Sequence, residues 1–232
     1  MSDYLQIKSE DWSDFRTSLL RYAELPRDQR NEFWFRGQGS SDWTLSTTLD
    51  RGHKFQDVQE RNEANEQLLS EFKTEAIHVG TPENRLSSQI RLDFLARHHG
   101  LPSPLMDWSL SPYVATYFAY AAMPKEAEYV SVWCLDLKEV DWNNREDIDL
   151  LRDDLPFFEN RRALQQRSVF LKVFVPENIE TLIPQALTRF DLPASDKKSA
   201  LQDLDEMLVN ATTMFYDLEG AAKTSVLRFF GN

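Results

Sequence analysis

The sequence predicts an α+β fold, a single domain over residues 1–232 with a mixed, split β-sheet flanked by helices. Three observations carry that expectation. Helical and strand patterns alternate with no internal repeat, the strand-like segments lie far apart in the chain, and no Pro/Gly/Ser-rich linker divides it. A chain of 232 residues is also long enough to bury most of the apolar surface it would expose unfolded.

The elements follow in order. Residues 9–23, "SEDWSDFRTSLLRYA", place Trp12, Phe15, Leu19 and Leu20 at helical spacing. "EFWFRG" reads as a short strand stopped by Gly37, and residues 58–80 as a long helix closed by Gly80. A third helix, residues 87–99, ends at Gly100. "PLMDW" is short and apolar, and "SPYVATYFAYAAM" reads as a helix with Ser111 as N-cap and Pro112 at its first position. Residues 129–137 and 168–176, rich in β-branched and aromatic side chains, read as strands, and residues 194–211 as a helix. The pattern leaves the pairing order open.

Charge and cysteine usage exclude several classes. A net charge of −12 disfavours general electrostatic capture of nucleic acid, although a local basic cleft stays open to the chain. The acidic stretches "EANEQLLSEFKTE", "EDIDLLRDDL" and "LQDLDEML" read as solvated helix faces. Cys134, the one cysteine, lies in "YVSVWCLDL" and reads as a buried structural thiol in a reducing compartment. No apolar run approaches the ~20 residues of a membrane span, and the start of the chain lacks a signal peptide's basic and apolar blocks. The expectation is a cytoplasmic protein with no membrane partner.

"FWFRGQGSSDW" is the first stretch that suggests chemistry. Along a strand Trp34 and Arg36 share one face and Phe33, Phe35 and Gly37 the other, so phenylalanines in the core leave Arg36 toward a cleft or water. A five-donor fork beside a glycine that admits a ligand or another backbone suits a phosphate or carboxylate. Pairing with a nearby acid is the competing reading. His98 and His99 diverge by about 100° on a helix and do not readily share an ion, and no CxxC, HxxxH or Asp-rich loop adds ligands, so no metal is expected. Either histidine could act as a general base or hold a substrate. Asp107, boxed by Leu105, Met106 and Trp108, needs a partner when ionised, and Arg36 or a histidine would serve.

Four stretches, "FRGQ", "HHGLPSPLMDWSLSPYVATYFA", "QRSVF" at 166–170 and "MFYDLEGAAK" at 214–223, resemble in order and spacing the signatures of the FRG domain, over about residues 30–225. The family pattern falls on Phe35 to Gln38, on His98, Gly100, Asp107 and Trp108, on Gln166 and Phe170, and on Asp217 and Gly220. The chain departs from it at Arg97, where the family usually has Gln, at Ser103-Pro104 in place of Thr-Arg, at Ser168 in place of Gly and at Tyr216 in place of Pro. Losing the arginine at 104 removes a cation beside Asp107. The resemblance implies bacterial and phage settings suggestive of toxins or host–phage conflict.

A weaker resemblance, of "FWFRG" and "MDWSLSPYVATYFA" to ADP-ribosyltransferases of the arginine-serine-glutamate type, implies NAD as substrate and an ADP-ribosyltransferase-like fold. It implies Arg36, His98, Asp107 and Gln166 as catalytic residues, and Arg36, Gly37, Gln38, His99, Trp108 and Ser109 as cofactor contacts. Where such enzymes carry a glutamate on a late strand, this chain has Gln165 and Gln166. A glutamine can orient a ribose hydroxyl but cannot offset positive charge in a transition state. Three readings follow: an NAD-using transferase acting on a protein target as effector or toxin, a non-catalytic nucleotide- or partner-binding module, and an anti-defence inhibitor working through its acidic surface.

Overall fold

The computed structural model describes residues 3–151 and 161–231. In chain order they form β1 (Leu5–Lys8), α1 (Trp12–Ala23), α2 (Arg27–Arg30), β2 (Phe33–Gln38), α3 (Thr48–Gly52), α4 (Val58–His78), α5 (Gln89–His98), β3 (Leu105–Ser109) and α6 (Pro112–Ala121). Then come β4 (Tyr129–Asp136), β5 (Ile148–Leu151), α7 (Arg161–Gln165), β6 (Ser168–Val173), α8 (Ile179–Leu182), β7 (Leu187–Pro193), α9 (Lys197–Glu206), α10 (Ala211–Phe215) and α11 (Leu218–Phe230). The fold is α+β, with one mixed sheet in the order β1-β7-β4-β2-β3-β6-β5. No helix among the described residues is long and apolar enough to cross a membrane.

Helices start where a side chain satisfies first-turn amides that lack an intrahelical partner. Ser111 accepts from the Val114 amide with Pro112 at the first helical position, as its sequence predicts. Asp11 caps α1 by accepting from the Asp14 amide, which sets its start at Trp12 rather than at residue 9. Gly80 and Gly100 follow α4 and α5 with φ of +79° and +90°.

The alternation along β2 divides the core in two. Phe35 joins Val132, Cys134 and Phe190 beneath α1, α6 and α9, with Phe15, Leu19, Tyr120 and Leu204. Trp34 joins Trp133, Leu135, Met106 and Trp108 on the opposite face, with Leu45, Leu137 and Ile179. Burial pushes the Cys134 thiol up to about 12, which marks it as packing rather than a nucleophile.

Gly37 serves the first of these cores. A Cβ there would lie 1.9 Å from the Ala115 carbonyl oxygen and 2.6 Å from the Ala119 nitrogen, and one on Gly39 would lie 2.2 Å from the Ala122 carbonyl oxygen. Small residues on α6 thus lay its backbone directly on the end of β2. Of the two approaches the sequence allowed at Gly37, a ligand or another backbone, the structure shows a backbone, that of α6, on the face away from Arg36.

The sheet is joined unevenly. β2 pairs with β4 over its whole length and β3 does the same with β6, yet β2 and β3 share the single register pair Phe35–Ser109. Two blocks, β1-β7-β4-β2 and β3-β6-β5, therefore meet at one rung and part on either side of it.

Three strands depart from the sequence expectation, and a last helix appears that it did not name. β7 carries Arg189 and Asp191, which pair with each other while Asp191 also accepts from Gln6 and Ser131, so its charges hide a buried strand. β1 lies along β7 as a short, mostly exposed edge. "EDIDLLRDDL" is not a helix face where it is described: Ile148–Leu151 form β5, with Ile148 buried and Asp149 exposed, and the stretch passes outside the described residues at 152. α11 buries Gly220, Thr224 and Leu227 and leaves Phe229 and Phe230 exposed.

Candidate functional site

Arg36 leaves β2 on the Trp34 face, opposite Trp133 of β4. Its Nη1 donates to the main-chain carbonyl of Asp107, and its buried Nε has no hydrogen-bond partner among the described residues. The expected ion pair between Arg36 and the Asp107 carboxylate does not form. Because Phe35 lies opposite Ser109, Asp107 shares the Phe35 face, and the two side chains leave the sheet in opposite directions. Arg36 finds the peptide oxygen instead and ties the two blocks together beside their one rung.

The Asp107 carboxylate is held by Arg97 from the last turn of α5. Its Oδ2 accepts from Arg97 Nε at 3.1 Å and also from Nη2, while Oδ1 accepts no hydrogen bond among the described residues. Arg97 is thus the cation on the Asp107 carboxylate, a role the sequence reading had left to Arg36 or a histidine. Arg97 Nη1 lies 3.4 Å from the Thr48 hydroxyl, which accepts the Ser103 amide at 3.1 Å. That contact brings α3 to the site, and with it Arg51, exposed, whose side chain among the described residues is tied through Nε to the Ser46 carbonyl at 3.2 Å.

α3 is itself pinned from beneath. Arg61 of α4 makes a two-bond fork with Asp50, Nε to Oδ1 at 2.7 Å and Nη2 to Oδ2 at 2.9 Å, with side-chain exposures of 1% and 7%. Asp50 also takes the Thr47 hydroxyl, so all its neighbours belong to the fold.

Arg97 on the Asp107 carboxylate, with Arg36 and Arg51 within its electrostatic reach, puts three guanidinium groups near one carboxylate. Burial lowers the Arg36 pKa to about 10; Asp107 opposes the fall, and Arg51 and Arg97 reinforce it. Arg51 is also lowered, by desolvation first and by Arg97 second, with Asp107 opposing. Three cations less one anion leave a local excess of two positive charges in a chain of net charge −12. Such a set suits a multiply charged anion, since guanidinium forks hold phosphate or carboxylate through paired, charge-assisted bonds.

His98 and His99 stand exposed at the end of α5, their rings edge to face at 5.7 Å. Partial desolvation, then Arg162 and His99, depress the His98 pKa below 6.5 against the pull of Asp107. The remaining residues singled out in the sequence lie elsewhere. Gln38 is 3% exposed and both ends of its amide are taken, by the Thr44 carbonyl and the Trp133 indole. Trp108 is buried among apolar side chains on the opposite face from Asp107. Ser109 donates to the Gln166 carbonyl and accepts from the Ser111 amide, stapling β3 to β6 and α6. Gln166 donates to the Met214 carbonyl at 3.1 Å. No group of three His, Cys, Asp or Glu side chains suited to a metal ion occurs among the described residues.

Arg51 and Thr48 escaped the sequence reading altogether, and Arg97 was noticed only as a departure.

Residues 31–128 match the family model of the FRG domain. The chain carries an FRG domain. The match takes in β2, α3, α5, β3 and α6, so every group at the arginine cluster lies within it. The stretches at 166–170 and 214–223 lie outside the match. No curated protein and no solved structure matches the chain.

Proposed function

We propose that the arginine cluster where the two sheet blocks meet forms a cleft that binds a nucleotide through its phosphates, with NAD the first candidate and Arg36, Arg51 and Arg97 as the phosphate contacts. The observation that carries this reading is the excess of two positive charges gathered at one carboxylate, with Arg36 Nε unpartnered. His98 and His99 border the same cluster and would face the ribose side of the ligand.

A second reading, ADP-ribosyl transfer to a protein target, draws on the Asp107 side chain, which is 41% exposed beside these arginines. In that reaction the bond between ribose and nicotinamide breaks, nicotinamide leaves as a neutral molecule, and the target's nucleophile bonds to the ribose carbon while giving up its proton. Asp107 would offset the charge that develops on the sugar, and His98, favoured in its neutral form, would take the proton. A toxin or effector role in bacterial–phage conflict draws on the family resemblance alone.

The test is thermal unfolding with NAD, ADP-ribose and ADP, alongside an assay of free nicotinamide in cell extract. A rise in Tm with these ligands that is lost in Arg36→Ala supports nucleotide binding. Nicotinamide release that is lost in Asp107→Asn supports transfer. A protein whose Tm is unmoved by any of the three ligands overturns the binding reading.

A further inference from the structure

The Arg97–Asp107 pair has features unlike those of a structural salt bridge. Both of its hydrogen bonds fall on one oxygen, Oδ2, and the side chains are 20% and 41% exposed. The carboxylate makes no contact with Arg36, which binds the Asp107 main chain instead. Removing the carboxylate therefore leaves the tie between the two blocks in place. Arg97 also keeps a contact of its own with Thr48, so it does not depend on Asp107 alone for its position.

An anionic ligand entering this cluster meets a carboxylate already seated on one of its three cations. We propose that the Asp107 carboxylate is an intramolecular competitor for the ligand's phosphate, holding Arg97 in the free protein and yielding it on binding. Asp107 then sets the selectivity of the cleft. A weakly charged anion gains too little from Arg97 to displace it, whereas a pyrophosphate group, with its several adjacent charges, displaces it and engages all three arginines. The chemical class favoured is a pyrophosphate-bearing molecule over a single phosphate or carboxylate. The inference rests on the phosphate-binding reading of the cleft given above.

The experiment titrates the full chain with inorganic pyrophosphate, and separately with acetate, by calorimetry at fixed ionic strength. It compares the unsubstituted protein, Asp107→Asn, Arg97→Gln and the double variant, each checked for folding by its thermal transition. Removing a competing charge a few ångströms from the ligand tightens pyrophosphate binding by on the order of tenfold in Asp107→Asn. Most of that gain vanishes in the Arg97→Gln background, since the competition acts through Arg97. Acetate, too weak to displace the carboxylate, gains measurable affinity only in Asp107→Asn. Should the carboxamide upset folding, Asp107→Ser gives the same comparison with a smaller side chain. Unchanged or weaker pyrophosphate binding in Asp107→Asn, with the unsubstituted protein still binding, overturns the competitor and leaves the phosphate cleft standing. Absence of pyrophosphate binding in every form overturns both.

Discussion

Two arginine–aspartate pairs meet α3, one through its Asp50 and one through its Thr48. Arg61–Asp50 is sealed, with side-chain exposures of 1% and 7%, and Arg97–Asp107 is open, at 20% and 41%. The chemistry is the same and the surroundings reverse its meaning. In the sealed pair each oxygen of Asp50 accepts one arm of the Arg61 fork, so the pair is spent on holding α3. In the open pair one carboxylate oxygen takes both bonds and a surplus of cations surrounds it, so the pair can answer to something from outside. Burial decides whether an ion pair is a fastening or a contact.

The comparison can be broken most forcefully at the sealed pair. Arg61→Ala strands a buried carboxylate and lowers stability by about 3–5 kcal/mol, read as a drop in urea midpoint at unchanged slope. A loss below about 1 kcal/mol would place this pair in the same class as the exposed one.

Ligand affinity comes next. Arg36→Ala removes a desolvated cation from the cleft and weakens nucleotide binding by about 2–3 kcal/mol, measured by calorimetry. The same substitution frees the Asp107 carbonyl, and a modest fall in Tm accompanies it.

A smaller effect concerns pH. The folded protein depresses the His98 pKa below 6.5, so this histidine contributes stability above that pH, and the contribution is lost as pH falls through the depressed value. A bound phosphate favours the protonated ring and acts in the opposite direction. Affinity therefore rises as pH is lowered from about 7.5 toward 5.5, while the stability of the free protein falls. His98→Gln flattens both trends, and a pH titration of Kd that keeps its slope in this variant would remove His98 from the site.

The smallest effect sharpens the contrast. Arg97→Gln changes unfolding free energy by no more than about 1 kcal/mol, because its partner can be solvated. A loss as large as that of Arg61→Ala would show the open pair to be structural after all.

Local chemistry made part of this molecule legible in advance. Ser111 and Pro112 announced α6, and the alternation of "FWFRG" announced β2 and put Arg36 on the face opposite the phenylalanines, although that face is buried rather than open to water. The parts that stayed hidden depend on distant partners. β7 could not be read from composition because Arg189 and Asp191 satisfy one another inside the sheet. The pairing of Arg36 with a peptide oxygen, and of Asp107 with Arg97, follows from which residue of β3 lies opposite Phe35. A shift of one residue there would have exchanged the faces and given the ion pair that the sequence suggested. Gly37 was correctly singled out as a place of close approach, but the sequence does not say that α6 is what approaches.

The single rung between β2 and β3 also has an optical consequence. Trp34 and Trp108 belong to the two strands that meet there and Trp133 to the strand beside them, at 0%, 2% and 1% exposure, and together they are half of the six tryptophans in the chain. Indoles so enclosed emit at the blue end of their range, and water admitted between the blocks would shift that emission to the red. Any ligand that draws Arg36 away from the Asp107 carbonyl loosens the tie at this rung, so the protein carries its own unlabelled fluorescent gauge of whether its two halves move apart.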